Sequence, residues 1–371
     1  MPSEQIIKYL IYTILVQMKI GLITFHDTTN FGSLLQTYGL YKKVQELGYN
    51  IDVIDYQCES IVRREIPRNF NLFQSPRGII KDIIIGSVNR KKYKALTKFL
   101  RENMTLSARC DKSTIKDQSA LYDKFIIGSD IVWGMDIIEG DLTYFLNFET
   151  ESCKKTAFSS SIGNPWSEQD KQKLKPLLQD FNYIAVREDE SANWVEELTG
   201  NRPNVVCDPT MLINSNEWLK HTYTRKDKDE YVLVYFDNKK GDCLKSAIRY
   251  AEKHNLKVKY INYGLPKKGV CNVKPISLED FLSLINDAAK VITASYHGML
   301  FSIYFNKQFV YFNRAHKSRM NTLARKLQVQ NCDGEGKDIL NMPTVNYEVV
   351  NKAVEEYRVY SVECLKNLLE I

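Results

Sequence analysis

Short apolar runs alternate with longer amphipathic stretches along this chain, and most of the runs end in a small cluster of polar residues. The first run, KIGLITF from Lys19 to Phe25, reads as a buried strand, and TTNFGS after it as a loop. SLLQTYGLYKKVQELG then places Leu34, Leu35, Tyr38, Leu40, Tyr41, Val44 and Leu47 in a helical pattern, with Gly48 as its stop. YNIDVIDY follows as a second strand. Strand, loop, helix, glycine and strand form a βαβ unit, whose right-handed crossover makes its strands parallel. Ligands of such sheets collect at the carboxyl ends of strands, where FHDTTNFGS lies.

The same grammar continues. KFIIGSD, KTAFSSSIG, YIAVRED and NVVCDPTML each read as a strand that runs out into small or charged residues. A polar stretch at 214–230 marks a domain boundary, after which YVLVYFD, LKVKYINYG, KVITAS and KQFVYF read as strands. Between them DCLKSAIRYAEKHN and SLEDFLSLINDA read as helices, the second opened by Ser277 with Asp280 in a capping-box spacing. YHG reads as a strand exit and MLFSIYF as the helix after it. A long amphipathic helix closes the chain. The expected fold is α/β, with two Rossmann-like domains facing a cleft, residues 18–213 and 214–345, followed by a helix at 346–371.

Two regions fall outside this pattern. Residues 6–16 are apolar but carry Lys8 and reach only about half of the ~20 residues that a spanning helix needs. Residues 1–17 are therefore expected to be an extension ahead of Met18, with a short interfacial anchor as the rival reading. Residues 60–105 are rich in Arg and Lys, with Phe70, Leu72, Phe73 and Ile83 to Ile85 interleaved. They read either as an insertion with a solvated basic helix or as a surface for anionic lipid.

With 371 residues, 44% of them hydrophobic and 26% charged, the chain has globular composition and material for two cores. The net charge of +6 suits an anionic substrate or a membrane surface and does not by itself point to nucleic acid. Eight cysteines show neither CxxC nor zinc-ligand spacing, so reduced thiols in a cytoplasm and no metal site are expected. P-loop, dinucleotide and HExxH signatures are absent.

The polar strand ends carry the candidate chemistry. His26, Asp27, Asn30, Gly32 and Gln36 follow the first strand; Ser129, Asp130 and Trp133 follow KFII; Arg187 and Glu188 follow YIAV. An arginine ending an apolar strand needs a carboxylate or phosphate for its fork, and Glu188 is the structural alternative to a ligand. His297 lies between a β-branched strand and a helix opened by Gly298, beside the free N–H groups of a helix start. It reads as a proton donor near an anion site, against the plain alternative of a core histidine.

In order, KIGLITFHDTTNFGSLLQTYGLYKKVQELGYNIDVIDY, FIIGSDIVW, SSSIG, AVRE, VVCDPTML and VITASYHGMLFSIYFNKQFV resemble the polysaccharide pyruvyl transferase family, over Lys19 to Phe312. That resemblance implies a GT-B-like fold with a C-terminal helix crossing back to the N-terminal domain. It also implies metal-independent transfer of the pyruvyl group of phosphoenolpyruvate onto a sugar, with phosphate released and no cofactor. By the same resemblance His297 is the general acid/base, and Arg187 binds the donor with Ser295 and Gly298. Some relatives carry Arg two residues before the His, where this chain has Ser295; Arg314, Lys317 or Arg319, with His316, then supplies the missing cation. The expected acceptor-binding residues are His26, Asp27, Asn30, Gly32, Gln36, Ser129, Asp130 and Trp133. The implied partner is a lipid-linked oligosaccharide of capsule or exopolysaccharide assembly, met in the cytoplasm or at the inner face of a bacterial plasma membrane. A nucleotide-sugar glycosyltransferase of the same fold and a non-catalytic glycan-binding assembly protein are the alternatives.

Overall fold

The computed structural model describes residues 18–67, 85–223, 229–314 and 317–370. Residues 1–17, the part of the basic region at 68–84, and His316 lie outside the described residues. The described chain divides into two compact units, one within Met1–Ile66, Lys98–Ile213 and Tyr357–Ile371, the other within Pro67–Thr97 and Asn214–Glu356. Each is built on one parallel sheet, the two-sheet α/β architecture that the sequence predicts.

The first sheet comprises β1 (Lys19–Ile23), β2 (Asn50–Val53), β3 (Lys124–Ile127), β4 (Lys155–Ser160), β5 (Tyr183–Val186) and β6 (Asn204–Val205), in the order β2-β1-β3-β4-β5-β6. Strands β3 and β4 are buried along their whole length, as expected of a parallel sheet covered on both faces. Helix α1 (Phe31–Glu46) crosses from β1 to β2. It starts two residues earlier than its apolar spacing predicts, because the Asn30 side chain accepts from the Gly32 amide at 2.9 Å and caps it. Every residue from Phe31 to Tyr41 is buried, so α1 lies within the core. Gly39 permits this: a Cβ there would stand 2.4 Å from the carbonyl oxygen of Pro209 in the turn Pro209–Met211.

Helices α2 (Glu59–Glu65), α3 (Ser87–Asn103), α4 (Glu168–Gln179) and α5 (Asp189–Thr199) follow in chain order. The basic helix α3 is amphipathic, with Leu96, Phe99 and Leu100 buried and Lys91, Lys94, Lys98 and Arg101 exposed.

The second sheet comprises β7 (Tyr231–Tyr235), β8 (Lys257–Ile261), β9 (Cys271–Val273), β10 (Lys290–Thr293) and β11 (Gln308–Tyr311), ordered β11-β10-β7-β8-β9 and parallel throughout. Its helices include α6 (Asp242–His254), α7 (Leu278–Asn286) and α8 (Tyr296–Tyr304). The Ser277–Asp280 capping box at the start of α7 forms as predicted. Helix α8 starts at Tyr296 rather than after Gly298: Ser295 is its N-cap and accepts from the Gly298 amide at 3.2 Å. His297 therefore sits inside the first helical turn and not in a strand exit.

The last helix, α9 (Tyr347–Glu370), carries its C-terminal part in the first unit. Arg358 donates to the Met211 carbonyl at 2.7 Å, and Ser361 accepts from the Cys207 amide at 2.9 Å. Buried Lys124 donates to the Leu368 and Leu369 carbonyls at 2.8 and 3.2 Å, satisfying groups that a helix end leaves open. Among the described residues no helix is long and apolar enough to cross a membrane.

In both sheets the first strand has neighbours reached in opposite directions, β2 and β3 about β1, and β8 and β10 about β7. The crevices at β1/β3 and β7/β10 are topological switch points, where parallel sheets bind ligands. Replacing Gly39 by Ala should lower stability by about 1–3 kcal/mol through overpacking against Pro209. Chemical denaturation measures it; an unchanged midpoint would mean that α1 does not rest on that turn.

Candidate functional site

The first switch point is a lattice of short polar contacts. Past the end of β1, the Thr24 hydroxyl donates to the Ser129 carbonyl at 2.9 Å, joining the exits of β1 and β3. Gln36, wholly buried on α1, donates through Nε2 to Thr24 Oγ1 at 2.9 Å and to the Ser33 carbonyl at 2.8 Å. The Ser33 hydroxyl donates to the carboxylate of Asp130, whose other oxygen accepts from the Ile131 amide. Asp130 adopts φ 76°, a left-handed conformation that few residues other than glycine take. Asn30, Gly32, Gln36, Ser129 and Asp130 are thus brought to one sheet edge, with Asn30 exposed as the cap of α1. Asp27 is half-buried in the same loop.

Arg187 joins this edge from β5. Its Nη1 donates to Asp208 at 2.8 Å and to the Ser129 hydroxyl at 3.1 Å, while Nε lies 3.7 Å from Glu188. The Arg187 and Asp208 side chains are 1% and 0% exposed. Sequence reading offered Glu188 as the structural partner; the shorter contact is to Asp208, which ends the strand segment beyond β6. Glu188 is held separately, accepting from the Ser161 hydroxyl at 2.6 Å. Removing one member of so buried a pair leaves an uncompensated charge.

Two expected acceptor residues lie elsewhere. His26 is buried, its Nδ1 3.2 Å from the Thr24 carbonyl and its Nε2 3.2 Å from Asp55. Trp133 is 0% exposed, stacked on Phe145 at 5.6 Å, with its indole N–H donating to the Tyr144 carbonyl. Sequence leaves Trp133 equally open as core residue or sugar platform, and its burial among Phe145, Phe181 and Trp166 makes it core.

The second switch point, β7/β10, carries a different chemistry. Thr293 ends β10 and Tyr235 ends β7, paired in register. The Thr293 hydroxyl donates to the Tyr235 carbonyl at 2.5 Å and accepts from the Ser295 amide at 3.0 Å. A Cβ on Gly298 would stand 2.5 Å from that hydroxyl and 3.0 Å from the Tyr235 ring. The start of α8 is therefore pressed onto the strand ends, and only glycine fits. Burial pushes the Tyr235 hydroxyl above its ordinary range, against the opposing pull of Arg314 and a bond with Ser295. His297 is half-buried in the first turn of α8, edge-on to Tyr296 with ring centroids 5.4 Å apart. Arg314, past the end of β11, is exposed, and its guanidinium lies 4.8 Å from the ring centroid of Phe236. Arg319 is half-buried in the helix Lys317–Lys326, which Lys317 opens.

Sequence reasoning missed Phe236 and Thr293. Phe236 looked like the tail of an apolar strand, and nothing in its neighbours marks its φ of 56°. Thr293 had one available signal, a glycine five residues on in the first turn of an apolar helix, which implies a close approach by something.

A family model described as polysaccharide pyruvyl transferase matches residues 30–316. Among curated proteins no sequence matches. Similar solved structures include a UDP-GlcNAc 2-epimerase from Neisseria meningitidis bound to UDP-GlcNAc, at 13% identity and TM-score 0.49, covering 94% of this chain and 100% of that one. An S. aureus MnaA–UDP co-structure has 13% identity and TM-score 0.48, covering 94% of each chain. A UDP-glucosyltransferase from Polygonum tinctorium has 10% identity and TM-score 0.39, covering 95% and 98%.

The ion pair of Asp55 and Arg109 bears on pH. Burial alone would raise the Asp55 carboxyl, but His26 and Arg109 outweigh it and bring the group down to about 2 from an ordinary 3.8. Its folded value lies below its unfolded one, so ionised Asp55 stabilises the fold above pH ~4, and that contribution is lost as pH falls towards ~2. Asp55→Asn should lower the melting temperature at neutral pH, and the gap from wild type should close in acid. A gap independent of pH would exclude the charge as its cause.

Proposed function

The chain belongs to the polysaccharide pyruvyl transferase family and is an enzyme; from that premise we propose that it moves the pyruvyl group of phosphoenolpyruvate onto two hydroxyls of one sugar. The acceptor is a lipid-linked repeat unit of a bacterial capsular or exopolysaccharide, the sugar is galactose with its 4- and 6-hydroxyls ketalised, and phosphate is released. The reaction belongs in the cytoplasm, on substrate presented at the inner face of the membrane.

The observation that carries this reading is the second switch point. There a histidine in a helix first turn, the N–H groups of that turn and an exposed guanidinium on the next strand end share one sheet edge. The donor has a carboxylate and a phosphate to be held and a methylene carbon to be protonated. Helix N-termini and guanidinium groups hold such anions, and histidine titrates in the range useful to a proton donor.

In the proposed reaction His297 gives a proton to the methylene carbon, the C=C π pair forms the new C–H bond, and the adjacent carbon becomes oxocarbenium-like. One sugar hydroxyl adds there and loses its proton. The second hydroxyl then displaces phosphate, its proton ending on the phosphate or on the base. One methyl group and one hydrogen phosphate account for the atoms of phosphoenolpyruvate and the diol. Arg314 takes the place of the arginine that some relatives carry where Ser295 stands, and Ser295 serves as the helix cap instead. Arg187 is a positioning residue in this reading, since its Nη1 donates to Asp208 and Ser129. The Ser33–Asp130 pair and Asn30 offer acceptors and donors of the kind that sugar hydroxyls use.

Incubation with phosphoenolpyruvate and a galactose-terminated lipid-linked acceptor should release phosphate and add the mass of one pyruvyl ketal. His297→Ala should cut turnover by roughly 10²–10⁴-fold. Consumption of a nucleotide sugar, with no gain of a ketal on any acceptor, would replace this reading by glycosyl transfer.

A further inference from the structure

We propose that Phe236 is a positioning residue of the donor site, whose ring holds the Arg314 guanidinium across the end of β10. This rests on the reading that the β7/β10 switch point binds phosphoenolpyruvate.

Strand order supplies the geometry. β10 lies between β7 and β11, Phe236 is the first residue past β7, and Arg314 lies just past β11. Thr293 pairs with Tyr235 on one side and Tyr311 on the other. The contact of Arg314 with the Phe236 ring, 4.8 Å to the centroid, therefore joins the two strand exits that flank the exit of β10. Ser295 and His297 stand at that middle exit. A guanidinium on an aromatic face keeps its N–H groups, which lie in the guanidinium plane and point outward, available to an anion.

Core packing does not explain the conformation of Phe236. It is 43% exposed, so its ring is not there to fill the core, yet its φ of 56° is an outlier for a bulky residue. Its carbonyl accepts from the Ala294 amide at 3.2 Å, which locks this backbone to the end of β10. Its ring also leans on Tyr235, centroids 4.7 Å apart, and Tyr235 is the ring that Gly298 must clear. Strained backbone that the surroundings over-determine is a mark of functional sites. Here the strain turns an aromatic face toward the cation instead of burying it.

The test is calorimetric binding of phosphoenolpyruvate, without acceptor, to wild type, Phe236→Leu, Phe236→Gly, Phe236→Tyr, Arg314→Gln and the Phe236→Leu/Arg314→Gln double variant. The Leu and Gly variants should bind about 3- to 30-fold more weakly, while Tyr retains wild-type affinity. In turnover the Leu variant should show a raised KM for phosphoenolpyruvate with kcat little changed. In the Arg314→Gln background Phe236→Leu should have no further effect, since the ring acts through the cation. Phe236→Gly should melt above Phe236→Leu, because glycine takes the left-handed conformation without strain, though both bind equally weakly. Wild-type binding with an unaffected Leu variant, or a full additional loss in the double variant, overturns this inference alone. A wild type that binds no phosphoenolpyruvate overturns the reading of the site and this inference with it.

Discussion

Thr293 closes β10 with a hydroxyl that donates to the Tyr235 carbonyl and accepts from the Ser295 amide, and Gly298 lacks the Cβ that would strike it. This close approach sets the geometry of the second switch point. It fixes where α8 starts, hence that Ser295 is a cap and that His297 lies in the first turn with N–H groups beside it. It also holds the end of β7 against the end of β10, which is where Phe236 takes its left-handed turn. A histidine on the same sequence in an ordinary helix interior would have no such neighbours.

The two switch points are built on opposite principles. At β1/β3 the polar groups are largely occupied with one another: Ser33 with Asp130, Thr24 with Ser129, Arg187 with Asp208. Such a buried network contributes little net stability after desolvation, but it sets strand exits at fixed positions. At β7/β10 the cation is exposed and stacked and the histidine is half-buried. Rigid neutral and paired groups suit recognition of hydroxyls, whereas a less shielded cation and a titratable ring suit an anion that must be protonated. Each sheet also places a non-glycine residue at positive φ beside its switch point, Asp130 in one and Phe236 in the other.

Much of the architecture was legible because periodicity and punctuation are local. The strands read from KIGLITF to KQFVYF, the Gly48 stop and the Ser277–Asp280 box follow from neighbours in the chain, whereas the short edge strand β9 carries too brief an apolar pattern to be read. The misreadings concern either a cap or a distant partner. Asn30 and Ser295 moved two helix starts, since a capping side chain extends a helix beyond its apolar pattern. The structural partner offered for Arg187 was its neighbour Glu188, whereas its shorter contact is to Asp208, 21 residues away. His26 was expected to meet the acceptor, but Asp55 holds it inside; for Trp133 sequence left core and sugar platform equally open, and the stack on Phe145 places it in the core. Only tertiary packing carries that information, and a φ angle such as that of Phe236 has no sequence mark at all.

In the reaction proposed here the second switch point protonates an enol carbon before a sugar hydroxyl adds. Turnover of phosphoenolpyruvate and acceptor in heavy water, with the product examined by mass spectrometry and NMR, tests it most directly. The expected product is a ketal whose methyl group carries one deuterium drawn from solvent. A product that keeps the methylene intact would contradict it, because transfer would then have occurred without the proton that His297 is assigned to deliver.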